Sequence, residues 1–67
     1  MWSKELQQTT KEFLEKYKMA PMKNSKEVGC GICIVREGKY YITEREGDGK
    51  YEYNSIEALL EDGWVVD

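Results

Sequence analysis

Two cysteines separated by two residues are the clearest candidates for chemistry in this 67-residue chain. Cys30-Gly31-Ile32-Cys33 has the spacing found in zinc sites and in dithiol redox motifs. The redox motif opens a helix, whereas Ile34-Val35 continues a strand pattern, and residues three apart on a strand point to opposite faces. A four-ligand zinc site would need a second chain, because the sequence has no His and no further Cys. We therefore expect two reduced thiols, packed as small apolar side chains, with no bound metal. The alternatives are a zinc ion shared between two chains and a redox-active pair formed by Cys30 and Cys33.

Glycines flank Cys30, but the segment is not a phosphate-binding loop. It has no following Gly-Lys-Ser/Thr and no helix to receive an anion. We expect these glycines to let a helix lie close to the sheet or to mark a bulge. An alternative function uses the basic residues just before them, as a homo-oligomer that sequesters a small anionic ligand between subunits. Its ligand-binding residues would be Lys23, Lys26, Gly29 and Gly31.

The remaining titratable residues do not form a recognisable catalytic set. Without His, the commonest general base is missing, and no nucleophile–base pair or cofactor fingerprint is visible. The acidic residues lack the spacing of a calcium loop, and Asp48-Gly49 alone is too little for one. The sequence therefore predicts a protein that is not an enzyme and that uses no cofactor.

The aromatic residues are more informative, because the chain contains five Tyr and two Trp. Tyr40 and Tyr41 are adjacent on a predicted strand, so one of them leaves the core, while Tyr51 and Tyr53 share one side of another strand. Tyr and Trp are enriched at protein interfaces. We therefore predict a partner-binding set of outward tyrosines and neighbouring acids. The set is Tyr40, Tyr51, Tyr53, Glu44 and Glu52.

Charge is divided unevenly along the chain, whose net charge is −3. Residues 1–26 contain six basic and three acidic residues, and residues 27–67 contain four basic and ten acidic ones. An acidic surface steers a protein toward a basic partner surface and disfavours nucleic acid. With no apolar run long enough to span a bilayer and no signal-peptide pattern, we expect a cytoplasmic protein without membrane contact.

The element pattern begins with a helix over residues 3–18, capped by Ser3 and ended before Pro21. Residues 19–27 have no regular period and are predicted to be a loop. Strands are predicted over residues 28–36, 39–45 and 50–53, with turns at Glu37-Gly38 and Gly47-Asp48-Gly49. A second helix follows, with Asn54 as its cap and Gly63 as its left-handed end. Residues 65–66 have the composition of a short edge strand.

This order predicts one α+β domain over residues 1–67. The expected architecture is a three-stranded antiparallel meander with two helices on one face (α-β-β-β-α) and a possible short C-terminal edge strand. The order is similar to that of the double-stranded-RNA-binding domain. That family binds RNA phosphates with a Lys-rich start of its second helix. This chain has Asn54-Ser55-Ile56-Glu57 there, so the resemblance does not predict RNA binding.

The sequence thus favours a small acidic binding protein that acts by occupying a protein partner with a basic surface. An inhibitor or anti-defence protein of phage or mobile-element type is one class with this character. Because so short a domain buries a limited core, self-association into a homo-oligomer is a further expectation.

Overall fold

The computed structural model of this chain describes residues 2–25 and 29–67. Within them, two helices accompany an antiparallel sheet of five strands in the order β4-β3-β2-β1-β5. The elements are α1 (Lys4–Tyr17), β1 (Met19–Asn24), β2 (Cys30–Arg36), β3 (Lys39–Glu44), β4 (Lys50–Tyr53), α2 (Ile56–Glu61) and β5 (Trp64–Val66). The α+β class is confirmed, and the expected meander is present as β2-β3-β4. The expectation of a three-stranded sheet is wrong in its strand count, because β1 adds a strand where a loop was predicted. The possible C-terminal edge strand is present as β5.

Strand β1 lies where the sequence predicted a loop over residues 19–27. It pairs with β2 on one side and with β5 on the other. Proline has no N–H for a ladder, which disfavours it in a strand between two neighbours. Pro21 is tolerated because its nitrogen faces the position of Asp67, just beyond the last residue of β5, and its carbonyl accepts from Asp67 N–H at 3.0 Å. Residues 26–28, which end that predicted loop and begin the predicted strand, lie outside the described residues.

Helix α1 begins and ends as the sequence predicts, within one residue. The Ser3 side chain accepts a hydrogen bond from the Leu6 N–H, which satisfies one of the free donors of the first turn. Lys18 takes the left-handed conformation (φ 60°) after the last turn. The chain can then reverse into β1 without continuing the helix through Ala20, which the following proline disfavours.

Helix α2 is capped one residue later than predicted. The Ser55 side chain, and not that of Asn54, accepts from the Ala58 N–H at 3.1 Å. Gly63 follows the helix with φ 97°, which confirms the predicted left-handed end. The predicted β2–β3 turn is also confirmed, since Glu37 and Gly38 both have positive φ, as a two-residue type I′ hairpin requires.

Both helices pack on the same face of the sheet, α1 against β1 and β5 and α2 against β5 and β4. The core lies between the helices and this face. Its fully buried members are Leu14, Ala20, Met22, Cys33, Ile42, Leu59 and Trp64. The opposite face of the sheet carries no helix among the described elements, and we call it the open face.

The two edges of the sheet are treated differently. At the β5 edge, the Val66 N–H donates to the Thr10 hydroxyl of α1 at 3.0 Å, so the helix satisfies a strand donor. At the opposite edge, β4 has β3 as its only neighbour in the described sheet. One edge is therefore covered by a helix and the other is not.

Candidate protein-binding surface

A row of large apolar side chains crosses the open face. The strand register places Met19 opposite Ile34 and Ile34 opposite Tyr41. These side chains are 52%, 42% and 36% exposed, respectively, whereas most large apolar residues of the chain are buried or half-buried. Cross-strand partners stand side by side on one face, so the three residues form a continuous strip, which we call the apolar row. Glu52 of β4 follows at its end.

The charged residues around the apolar row are mainly basic. Alternation along the strands puts four basic residues and one acidic residue on the open face: Lys23, Arg36, Lys39, Lys50 and Glu52. The Lys39 Nζ lies 3.3 Å from a carboxylate oxygen of Glu52, and the Lys23 Nζ lies 5.1 Å from the centre of the Trp2 ring. The sheet positions of this face thus sum to a positive charge in a chain whose net charge is −3. The acidic excess belongs to Glu44, α2 and the loops, since α1 carries three Lys and three Glu.

The tyrosines that the sequence placed on a binding surface lie on the other face. Tyr40, Tyr51 and Tyr53 share the covered face with the buried Ile42 and are half-buried against the core. The prediction that they point outward is wrong. These tyrosines were predicted on the outward face and lie on the covered one. The prediction that Tyr51 and Tyr53 share one side of their strand is confirmed.

The hydroxyl groups of two of these tyrosines are bonded to carboxylates. Tyr51 donates to Glu44 and Tyr53 donates to Asp62, each at 2.5 Å. The Trp64 indole N–H in turn donates to the Tyr53 oxygen at 3.0 Å. The hydrogen bond to Glu44 raises the pKa of Tyr51. Burial, together with Asp62, raises the pKa of Tyr53. These tyrosine hydroxyls are therefore protonated donors, and their hydrogen bonds connect β4 to Glu44 of β3 and to Asp62 at the end of α2.

The predicted partner-binding set is consequently split between the two faces. Only Glu52 stands on the open face, while Glu44 accepts the hydrogen bond of Tyr51 on the covered side. The exposed aromatic residue of the strands is Tyr41, the neighbour of the predicted Tyr40. Because Tyr40 and Tyr41 are adjacent on a strand, the sequence correctly predicted that one of them lies outside the core, but it did not show that this residue is Tyr41. Met19 was not found from sequence because it begins the strand that was predicted as a loop.

The alternative ligand-binding residues do not converge on one site. Gly31 is buried, and a Cβ built on it would lie 2.7 Å from the Thr43 carbonyl oxygen, so the neighbouring strand fills the space in front of it. Lys23 stands on the opposite face of the sheet, over Trp2. Gly29 is exposed with φ 91°, and Lys26 lies outside the described residues. The close approach at Gly31 is made by strand β3 and not by a helix.

The two cysteines also lie on opposite faces, as their spacing predicts. Cys33 is fully buried beneath the helices, and Cys30 is half-buried on the open face. Burial raises the pKa of the Cys33 thiol to about 11, which keeps it protonated and unreactive near neutral pH. Within residues 2–25 and 29–67, no group of three or more His, Cys, Asp and Glu side chains could hold a metal ion.

Comparison with models of protein families, with curated proteins and with solved structures finds no match to this chain. Neither helix of the described chain is long and apolar enough to cross a membrane.

Proposed function

We propose that this chain is a small protein-binding module that occupies a partner through the open face of its sheet. The observation that carries the proposal is the apolar row of Met19, Ile34 and Tyr41, which crosses three strands without cover. Scattered single apolar residues are ordinary on a surface, but a contiguous strip bordered by polar side chains is typical of an interface. Such interfaces combine an apolar centre with a charged rim.

The charge around the apolar row changes the expected partner. The sequence predicted a partner with a basic surface, from the acidic net charge. The open face itself is bordered by basic side chains such as Arg36 and Lys50, so a partner that meets this face carries apolar groups flanked by acidic ones. A basic partner surface would instead meet α2 and the acidic loops. We favour the open face because charge alone contributes less affinity than a desolvated apolar centre.

A single-stranded nucleic acid is the main competing occupant, since it too favours basic faces with aromatic residues. Sheets that bind single strands stack bases on several aromatic rings. Here Tyr41 stands at one end of the apolar row, beside the aliphatic Ile34 and, beyond it, Met19, which offer no ring for stacking. Aliphatic side chains in the centre of the row favour a protein partner. Blocking a partner's surface in this way would suit an inhibitor and requires no catalytic group.

The test is affinity capture with the intact chain, followed by titration of the captured protein by calorimetry. We expect Ile34→Thr and Tyr41→Thr, which keep strand-forming residues at exposed positions, each to weaken binding by about tenfold or more. Tyr17→Gln is the matched control. Tyr17 is also an exposed aromatic, 55% accessible, but it lies on α1 away from the open face. Its variant should bind as the wild type does.

The outcomes separate the candidate surfaces. Loss of binding in the Ile34 and Tyr41 variants, with wild-type unfolding curves, supports the open face. Equal affinity in all three variants would overturn the proposal. Capture of nucleic acid in place of protein, with an affinity that falls steeply with salt, would overturn it in favour of a nucleic-acid surface.

A further inference from the structure

The uncovered edge of the sheet presents the backbone groups of two residues, Lys50 and Glu52. In an antiparallel ladder, successive residues of a strand bond alternately to the two sides. The Glu44 N–H donates to the Gly49 carbonyl at 2.9 Å, which places Gly49, and therefore Tyr51, among the residues that bond to β3. The N–H and C=O groups of Lys50 and Glu52 therefore point away from the sheet.

Open strand edges favour pairing with another strand. At the β5 edge this is prevented, because the Thr10 hydroxyl takes the Val66 N–H and α1 packs along the strand. At the β4 edge, no described element occupies the equivalent position. The protein therefore has one edge on which a strand can be added.

The side chains at this edge select a particular strand. Lys50 and Glu52 are the residues of β4 whose backbone N–H and C=O groups point away from the sheet. Two copies of β4 can pair antiparallel in three registers that place at least one of these residues opposite such a residue of the second copy. One register sets Lys50 opposite the partner's Lys50, and another sets Glu52 opposite the partner's Glu52. The third, centred on Tyr51, sets Lys50 opposite the partner's Glu52 and Glu52 opposite the partner's Lys50. Opposite charges in directly facing positions stabilise a strand pair, and like charges destabilise it.

We infer that a second copy of this chain binds the β4 edge in the register centred on Tyr51. The pairing joins two five-stranded sheets into one continuous antiparallel sheet, related by a two-fold axis at Tyr51. Each facing pair of Lys50 and Glu52 exchanges two backbone hydrogen bonds and brings its charged side chains together on the open face. This inference does not depend on the proposed partner.

The same residues indicate that the dimer is weak. Strand β4 contributes four residues, and Glu52 already lies 3.3 Å from the Lys39 Nζ within its own chain. The partner's Lys50 would therefore join an existing ion pair, and exposed ion pairs add little each. An interface of this size is typical of transient association.

The first experiment measures the solution mass by sedimentation equilibrium from about 10 µM to about 1 mM, a range that detects weak association. We expect the apparent mass to rise from that of one chain toward that of two. In NMR spectra over the same range, the amide signals of Lys50 and Glu52 should shift with concentration. The amide signal of Tyr51, which bonds to β3, should shift less.

Charge reversal then tests the register. Lys50→Glu and Glu52→Lys should each weaken self-association by about tenfold or more, because both facing pairs become like-charged. Mixed in equal amounts, these two variants should associate with each other, since every facing pair is again one Glu and one Lys. Lys16→Glu is the control, because it makes the same charge change at an exposed position of α1.

Association of the mixture, with each variant alone monomeric, would confirm both the edge and the register. A wild-type chain that stays monomeric at about 1 mM would overturn the inference. A dimer that persists in Lys50→Glu would overturn it too, since the contact would then lie elsewhere. Ile34→Thr, which tests the partner surface, should leave self-association unchanged, so that failure of one proposal can be told from failure of the other.

Discussion

Thr10 shows how a single hydroxyl group can connect distant parts of a small fold. Its side chain is fully buried, donates to the Leu6 carbonyl at 2.8 Å and accepts from the Val66 N–H at 3.0 Å. In the helical pattern of α1, Thr10 only fills a gap in the apolar stripe. The bond to an edge strand could not be read from the helix pattern, because it depends on where residue 66 lies in the fold.

Replacing Thr10 by valine preserves its shape and removes the hydroxyl. We expect Thr10→Val to lower the free energy of unfolding by about 1–3 kcal/mol, since the Val66 N–H loses its partner in a buried position. Urea titration followed by circular dichroism measures the change.

Thr9→Val is the matched control for this change. The Thr9 hydroxyl also donates to a carbonyl of the preceding turn, that of Glu5, but it is exposed and touches no strand. Its variant should stay within about 0.5 kcal/mol of the wild type. Equal losses in the two variants would mean that the bond to β5 contributes nothing to stability.

At the scale of elements, local signals in the sequence located the helices and hairpins but not the whole sheet. The cap at Ser3, the turn at Glu37-Gly38 and the left-handed Gly63 each depend on a few adjacent residues, so they are predictable. Strand β1 was missed because its residues show no regular period, and its pairing depends on β2 and β5, which lie elsewhere in the chain.

The outward face of the sheet was misassigned for a related reason. Both sides of β2 are apolar or small, with Ile32 and Ile34 on one and Gly31 and Cys33 on the other. The period of two predicts which residues share a side, but not which side receives the helices. The helices cover the side with the smaller residues, where Trp64 and Ile42 supply the bulk of the core. The larger isoleucines are therefore left on the open face.

The N-cap of α2 gives a prediction at this scale, because Asn54 was predicted as the cap and Ser55 makes the capping hydrogen bond. We expect Ser55→Ala to lower the free energy of unfolding by about 0.5–2 kcal/mol, since the Ala58 N–H loses its acceptor. Asn54→Ala is the neighbouring control and should change stability little. Thermal and urea unfolding of both variants measure the difference. If Asn54→Ala lowered the free energy of unfolding more than Ser55→Ala does, Asn54 would be the cap, as predicted from sequence.

For the whole molecule, the important feature is the separation of charge between faces. Basic residues border the open face, while acidic side chains such as Glu44 and Asp62 hold the phenol groups on the covered side. These carboxylate–phenol bonds require protonated tyrosines. Stability at alkaline pH therefore depends on them.

The pH dependence follows from the raised pKa of Tyr53, which burial and Asp62 cause. A folded-state pKa above the unfolded value means that the folded protein holds the proton more tightly. The contribution is complete below the ordinary tyrosine pKa of about 10 and is lost as pH rises beyond it. We expect the free energy of unfolding to fall between about pH 9 and pH 11.5, and to fall less steeply in Tyr53→Phe.

Urea unfolding across this pH range makes the measurement. Tyr17→Phe is the control, because Tyr17 is exposed and should leave the slope as in the wild type. A Tyr53→Phe slope identical to that of the wild type would show that Tyr53 does not carry the alkaline loss. At pH 8 the same variant should already be less stable, since the bonds from Tyr53 to Asp62 and from Trp64 are gone.

Because helices cover only one side of the sheet, successive residues of a strand tolerate substitution to different degrees. On β2 and β3, Cys33 and Ile42 pack in the core, while their chain neighbours Ile34 and Tyr41 face outward. Under the proposed function, substitutions at the outward positions would change what the open face recognises at little cost in stability. The same strands would then acquire new specificities while the inward positions stay fixed.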